Sequence, residues 1–307
     1  MKSLTYILAV LDRSSADHVL VKKAANLARL LGARLELFLC DAEHAYALKR
    51  DFQPDNGMSA KRLYTSQAVA YLNDLAKVAN LEDVEVSVCA SCESPLYEGI
   101  VHKVMQSHPD LVMKHAGGGG ASSQVTFDAN DWQLMRKCPV TLLITRGRAW
   151  HAHPRFAAAV DIASREIDGL ASCILDTSAM LSGAHGSHTE ILCSLSADAP
   201  SELKDTRTTA LRKLAQHSHI DIRDVRLLDG EPELTLPVAL TEGHYDVLTL
   251  GALTHQPGVT ALVGTLTSRL IEAVDCDFVL VKPEALPAME GKSAARTDRV
   301  QLEGVAR

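Results

Sequence analysis

Aromatic residues are scarce, at 4% of the 307 positions, so any core has to be assembled from Leu, Val, Ile and Ala. No apolar run approaches the ~20 residues that a membrane-crossing helix requires, so no span is expected. No run of Lys and Arg is long enough to track a phosphate backbone, and the net charge is −7; nucleic-acid binding is disfavoured. The start, residues 1–15, lacks the longer apolar region and small-residue cleavage site of a secretion signal, because Asp12-Arg13 interrupts it; a cytoplasmic location is expected. The cysteines (40, 89, 92, 138, 173, 193 and 276) are odd in number and lack framework spacing, which points to reduced thiols. There is no Gly-x-Gly-x-x-Gly fingerprint, no Gly-x-x-x-x-Gly-Lys-Ser/Thr loop, no nucleophile elbow and no placeable Ser–His–Asp set. A binding role rather than an enzyme is expected.

What is present is an alternation of strands and helices, run through twice. An apolar run at 5–11 ends at Asp12. A helix is predicted over 15–31, with Leu20, Ala24, Leu27 and Leu31 on one face and Gly32 as its stop. Strands follow at 35–40, 84–89, 110–114 and 140–145, and helices at 59–79, 95–107 and 131–137, with a polar loop at 51–57. The order then restarts with strands at 156–160, 190–195, 222–227, 246–250 and 278–281. Helices fall between them at 169–181, 201–218, 233–242 and after Gly264. Landmarks recur in the same order: Asp12 answers Asp161, Asp110-Leu-Val answers Asp246-Val-Leu, and Cys138 answers Cys276. Strand–helix units of this length imply an α/β protein with two doubly wound parallel sheets, each of about five strands. The expected domains are 1–147 and 154–283, followed by a mobile tail at 284–307.

The most informative stretch is 245–283. It reads as strand, glycine-bearing loop, helix and strand, with a helix start whose free N–H groups and dipole favour an anion. Gly251, Thr254, Gly264 and Thr265 resemble the nucleotide-binding loop of the universal stress protein family: Gly, two residues, Gly, nine residues, Gly, then Ser or Thr. Thr254 stands in place of the second glycine. With the duplication, the chain to about residue 283 resembles the two-domain E-type of that family, and the segment from Asp131-Trp132 to Pro139 is similar to one of that subtype. The resemblance implies two tandem Rossmann-like, adenine nucleotide alpha hydrolase-like domains that pack as a pseudo-dimer, and leaves a homodimer of the whole chain open. It implies ATP or a related adenine nucleotide, with Mg²⁺, held by Gly251, Thr254, Gly264, Thr265 and Leu266. Asp161, at the end of the first strand of its half, then faces the ribose, the adenine or the Mg²⁺. An ordinary loop carboxylate is the competing reading of Asp161. Gly230-Glu231-Pro232 resembles a loop lining the same cavity, or is a plain turn before a helix. Without a Walker lysine, any ATP hydrolysis would be slow.

The first half departs from this pattern. Counting back from Cys138 puts Thr126-Phe127 opposite Gly264-Thr265, and His115 stands opposite Gly251. The run Gly117–Gly120 reads as a loop, and the half as a degenerate domain. Phe127 and Trp132 near its mouth would suit an apolar or lipid-like ligand, so a non-nucleotide binder or scaffold is the alternative function. A thiol sensor is another, through Cys89-x-x-Cys92 at a helix start. The histidine pairs 151/153, 185/188 and 217/219 are read as solvated surface, with Zn²⁺ as the competing reading.

Overall fold

The computed structural model describes residues 3–51, 54–79, 81, 83–117, 127–162, 169–252, 265–282 and 303–305. They fall into two compact units. The first begins with β1 (Tyr6–Leu11), buried along its whole length. A parallel strand covered on both faces shows no polar alternation, and its sequence, YILAVL, has none. α1 (Asp17–Leu31) turns Leu20, Val21, Ala24, Leu27 and Ala28 inward. It stops at Gly32, whose φ of 65° is left-handed, and the Ala33 N–H donates to the Ala28 carbonyl at 2.8 Å to close the turn. β2 (Arg34–Cys40), α2 (Ala42–Asp51), α3 (Pro54–Val78), β3 (Val86–Ser91), α4 (Leu96–Ser107), β4 (Leu111–His115) and α5 (Ala129–Lys137) follow. The parallel strands run in the order β3-β2-β1-β4.

One expectation fails here. The polar loop at 51–57 is largely helix, because Pro54 opens α3. At a first helical position the missing N–H removes nothing and the fixed φ is already helical. Of the stretch expected as a mobile tail, only Glu303–Val305 are described, as a strand, β11, antiparallel to β3; the rest lies outside the described residues.

The second unit contains β5 (Thr141–Thr145), β6 (Phe156–Ala159), α6 (Leu170–Ala184), β7 (Thr189–Leu195), α7 (Ser201–His217), β8 (Val225–Asp229), α8 (Pro232–Gly243), β9 (Val247–Gly251), α9 (Thr265–Ala273) and β10 (Asp277–Val281). Five strands are parallel, in the order β10-β9-β6-β7-β8. β5 adds to β10 antiparallel, with Phe278 opposite Ile144 and Leu280 opposite Leu142. The sequence reading assigns β5 to the first domain, but the compact units divide between Pro139 and Val140 rather than at 147–154. Leu142, Leu143 and Ile144 are buried, as are Phe278, Val279 and Leu280, and this pairing satisfies both runs.

The repeated Asp-Leu-Val and Asp-Val-Leu landmarks have a structural cause. Asp110, just before β4, accepts hydrogen bonds from the N–H groups of Thr5 (2.9 Å) and Tyr6 (3.1 Å) at the start of β1. Asp246, just before β9, does the same for the segment leading to β6, accepting from the N–H groups of His151 (3.1 Å) and Arg155 (2.9 Å) and from His151 Nδ1 (2.8 Å). Each carboxylate takes N–H groups that the ladder leaves unpaired.

Candidate functional site

Open α/β sheets bind ligands beyond the carboxyl ends of the strands, where neighbouring strands lead off in opposite directions. In the second copy that point lies between β6 and β9, which run parallel with Ala158 beside Thr249. Asp161, two residues beyond β6, is exposed at this end, and Gly251 is the last residue of β9. Thr265 and Leu266 open α9, and the Thr267 hydroxyl, in the same turn, donates to the Gly251 carbonyl at 3.4 Å. The fold thus brings Asp161, Gly251, Thr265 and Leu266 to one end of the sheet. Thr254 and Gly264 lie outside the described residues.

Gly251 has a reason of its own. A Cβ there would lie 2.9 Å from Leu170 Cδ2 and 3.5 Å from Ile174 Cδ1, so the missing side chain admits α6. The close approach it permits is made, on that face, by the protein itself.

The two copies differ most in what sits at their helix starts. In the first copy Asp17, in the first turn of α1 and fully buried, takes the N–H groups of Arg13 (2.9 Å) and Asp12 (3.3 Å) and the Tyr71 hydroxyl (2.7 Å). α5 has a capping box: Asp128 accepts from the Asp131 N–H at 2.8 Å, and Asp131 from the Asp128 N–H at 3.1 Å. Asp131 also takes the Gly117 N–H at 2.6 Å and an ion pair from Lys114 Nζ at 2.7 Å, both side chains buried. Lys114 donates further to the carbonyl of His115 at 2.7 Å. Carboxylates of the chain therefore occupy both places where a ligand anion would be drawn. In the second copy α6 starts from Gly169 with no side-chain cap, and neither α6 nor α9 has an acidic residue in its first turn. Counting back ten residues from Cys138 and from Cys276 puts Asp128 opposite Leu266. The sequence reading does not mark Lys114 and Asp131 as site residues. The available signal was a lysine inside an apolar strand and an Asp-x-x-Asp box ahead of a helix.

The remaining sequence candidates resolve structurally. Gly117 spends its N–H on Asp131, while Gly118 to Gly120 and Thr126 lie outside the described residues. Phe127 and Trp132 pack on each other, with ring centroids 5.8 Å apart. Gly230 donates its N–H to the Leu195 carbonyl at 2.7 Å and precedes Glu231 and Pro232, the cap and first residue of α8, which supports the plain turn. The Cys89/Cys92 sensor does not fit. Cys89 is inside β3 and Cys92 one residue past it, so extended chain separates them by about 10 Å, too far for a disulfide. Helix α4 starts only at Leu96, and burial raises the Cys92 thiol to about 11, away from reactivity. Among the described residues no three His, Cys, Asp or Glu side chains gather as a metal would require. His151 bonds Asp246, and His185 bonds the Leu181 carbonyl and packs on Trp150 and Phe156. No described helix is long and apolar enough to cross a membrane.

Comparison with known proteins agrees with this architecture. Residues 5–146 match the model of the Universal stress protein family. The chain is 22% identical over 303 residues to Universal stress protein E of Photorhabdus laumondii, covering 92% of this chain and 96% of the relative. It is 24% identical over 296 residues to Universal stress protein E of Salmonella typhi, covering 91% and 94%. Among solved structures it superposes on a functionally unknown protein, PA1789, from Pseudomonas aeruginosa PAO1. That match has a TM-score of 0.73 at 19% identity and covers 92% of this chain and 93% of the other. The matched residues include the first copy, whose helix starts hold the chain's own carboxylates. The two α/β units, the coverage of these relatives from end to end and the family match lead to one conclusion: residues 5–146 belong to the universal stress protein family, and the chain along its length is similar to Universal stress protein E.

Proposed function

We propose that the second copy is the ligand-binding half of a stress-response protein, taking ATP or a related adenine nucleotide at the carboxyl end of β6 and β9. One observation carries the reading. The first copy fills the helix starts at this end of its sheet with Asp17, Asp128 and Asp131, whereas α6 and α9 begin with no described carboxylate. A helix start without an internal anion attracts an external one. In this reading the N–H groups of Thr265 and Leu266 receive phosphate and Asp161 faces the sugar, the base or a phosphate-bound Mg²⁺. Gly251 shapes the floor through its contact with Leu170, and Thr254 and Gly264 belong to the site on the sequence pattern alone. The sequence carries no Walker lysine, and in this reading the role is sensing or protective binding rather than turnover.

Thermal unfolding of the full chain with and without Mg·ATP tests it. At 100 times Kd the ligand adds about 2.7 kcal/mol, a readable rise in Tm. Thr265→Asp places a carboxylate at the start of α9, imitating the first copy; it suits a helix N-terminus and so preserves the fold. The rise should vanish in this variant. Wild-type protein indifferent to millimolar ATP, ADP and AMP would end the proposal.

A further inference from the structure

The turn joining β1 to α1 in the first copy holds two carboxylates and too few donors. Asp17 Oδ2 is fully used, by the Arg13 N–H at 2.9 Å and the Tyr71 hydroxyl at 2.7 Å. Asp17 Oδ1 has only the long 3.3 Å bond from the Asp12 N–H. Asp12 Oδ1 accepts from the Ser14 N–H at 3.0 Å, but Asp12 Oδ2 is buried with no donor among the described residues. The surrounding charges do not repair this. The Arg13 side chain is exposed, its guanidinium 6.0 Å from the centroid of the Tyr71 ring on α3. On β4, Lys114 is committed to Asp131, and His115 follows it. At the end of β2, Asp41 is paired with His44 at 2.7 Å. Arg13 is meanwhile held at φ 63°, a left-handed conformation unusual for a side-chain-bearing residue, with its N–H tied to Asp17.

We propose that Asp12 and Asp17 share one proton, carried on Asp17 Oδ1 and donated to Asp12 Oδ2, and that its uptake locks this turn as pH falls. One O–H then supplies the missing donor and removes the repulsion between the buried Asp17 and the half-buried Asp12, while Oδ2 of Asp17 goes on accepting from Arg13 and Tyr71. Burial first, with the Asp12 charge added, pushes the Asp17 carboxyl up to about 6, outweighing the opposing Tyr71 bond. The unfolded chain holds that proton only near pH 4. Between these values the fold binds a proton that the unfolded chain has released, so stability rises on acidification and falls as pH rises through 6.

The test is equilibrium unfolding of the full chain in EDTA from pH 7.5 to 5, followed through Trp132 in a Trp150→Phe background. The first copy should gain about tenfold in its folding constant by pH 5 relative to Asp17→Asn, which keeps the shape without the titration. An equal gain in Asp17→Asn would overturn the shared proton. Should that variant not fold, the ¹³C carboxyl resonance of Asp17 in the parent protein decides: a midpoint near pH 6 supports the proposal, and one near 4 refutes it. Stabilisation at pH 7.5 by Mg²⁺ or Ca²⁺ that depends on Asp17 would put a metal ion in the proton's place and equally refute it.

Discussion

Replacing Lys114 by Met should be among the most damaging single changes in the first copy. Lys114 Nζ and Asp131 lie 2.7 Å apart with 3% and 0% of their side chains exposed. Met has a similar reach, so the change removes charge with little change of volume. Asp131 keeps its bonds from Gly117 and Asp128 but loses its counter-ion at a position closed to solvent. Breaking one side of a buried pair in this way costs about 3–5 kcal/mol. Arg29→Met provides the internal standard. Arg29 meets Asp83 in the same unit, but with 40% and 60% exposure, where such a pair contributes less than about 1 kcal/mol. Urea unfolding monitored by Trp132, which is in α5 beside the pair, reports on this copy once Trp150 is replaced by Phe. The double variant Lys114→Met/Asp131→Asn removes the orphaned charge while an amide oxygen still accepts from Gly117 and Asp128. It should recover most of the loss, leaving a deficit of about 1–2 kcal/mol. If Lys114→Met costs no more than Arg29→Met, or the double variant is as unstable as the single one, Asp131 does not act as the internal anion described above.

Three further outcomes can be checked. Thiol labelling of the native protein should find Cys89 and Cys92 slower than in denatured chain, both being buried and the Cys92 thiol raised to about 11; Cys173, partly exposed on α6, should react first. Gly99→Ala should destabilise by about 1–3 kcal/mol, because its Cβ would lie 2.4 Å from Cys40 Sγ; thermal melts should show Cys40→Ala restoring much of the loss. Asp246→Ala should cost about 2–4 kcal/mol by chemical denaturation, since it strands the N–H groups of His151 and Arg155 and loosens the segment leading to β6.

Periodicity and spacing alone carried the order of strands and helices and Gly32 as the stop of α1, because each depends on a local rule: a buried parallel strand needs an unbroken apolar run, and a left-handed C-cap favours glycine. Other features depend on which strands and helices meet. β5 pairs with β10 because two apolar runs distant in sequence satisfy each other's edges. Gly251 is shaped by Leu170, eighty-one residues earlier, and Lys114 is neutralised by Asp131 across a loop. Residue types showed where a helix start could take an anion; only the packed chain could show that the first copy had already supplied its own, since a buried carboxylate's partners are set by three-dimensional proximity.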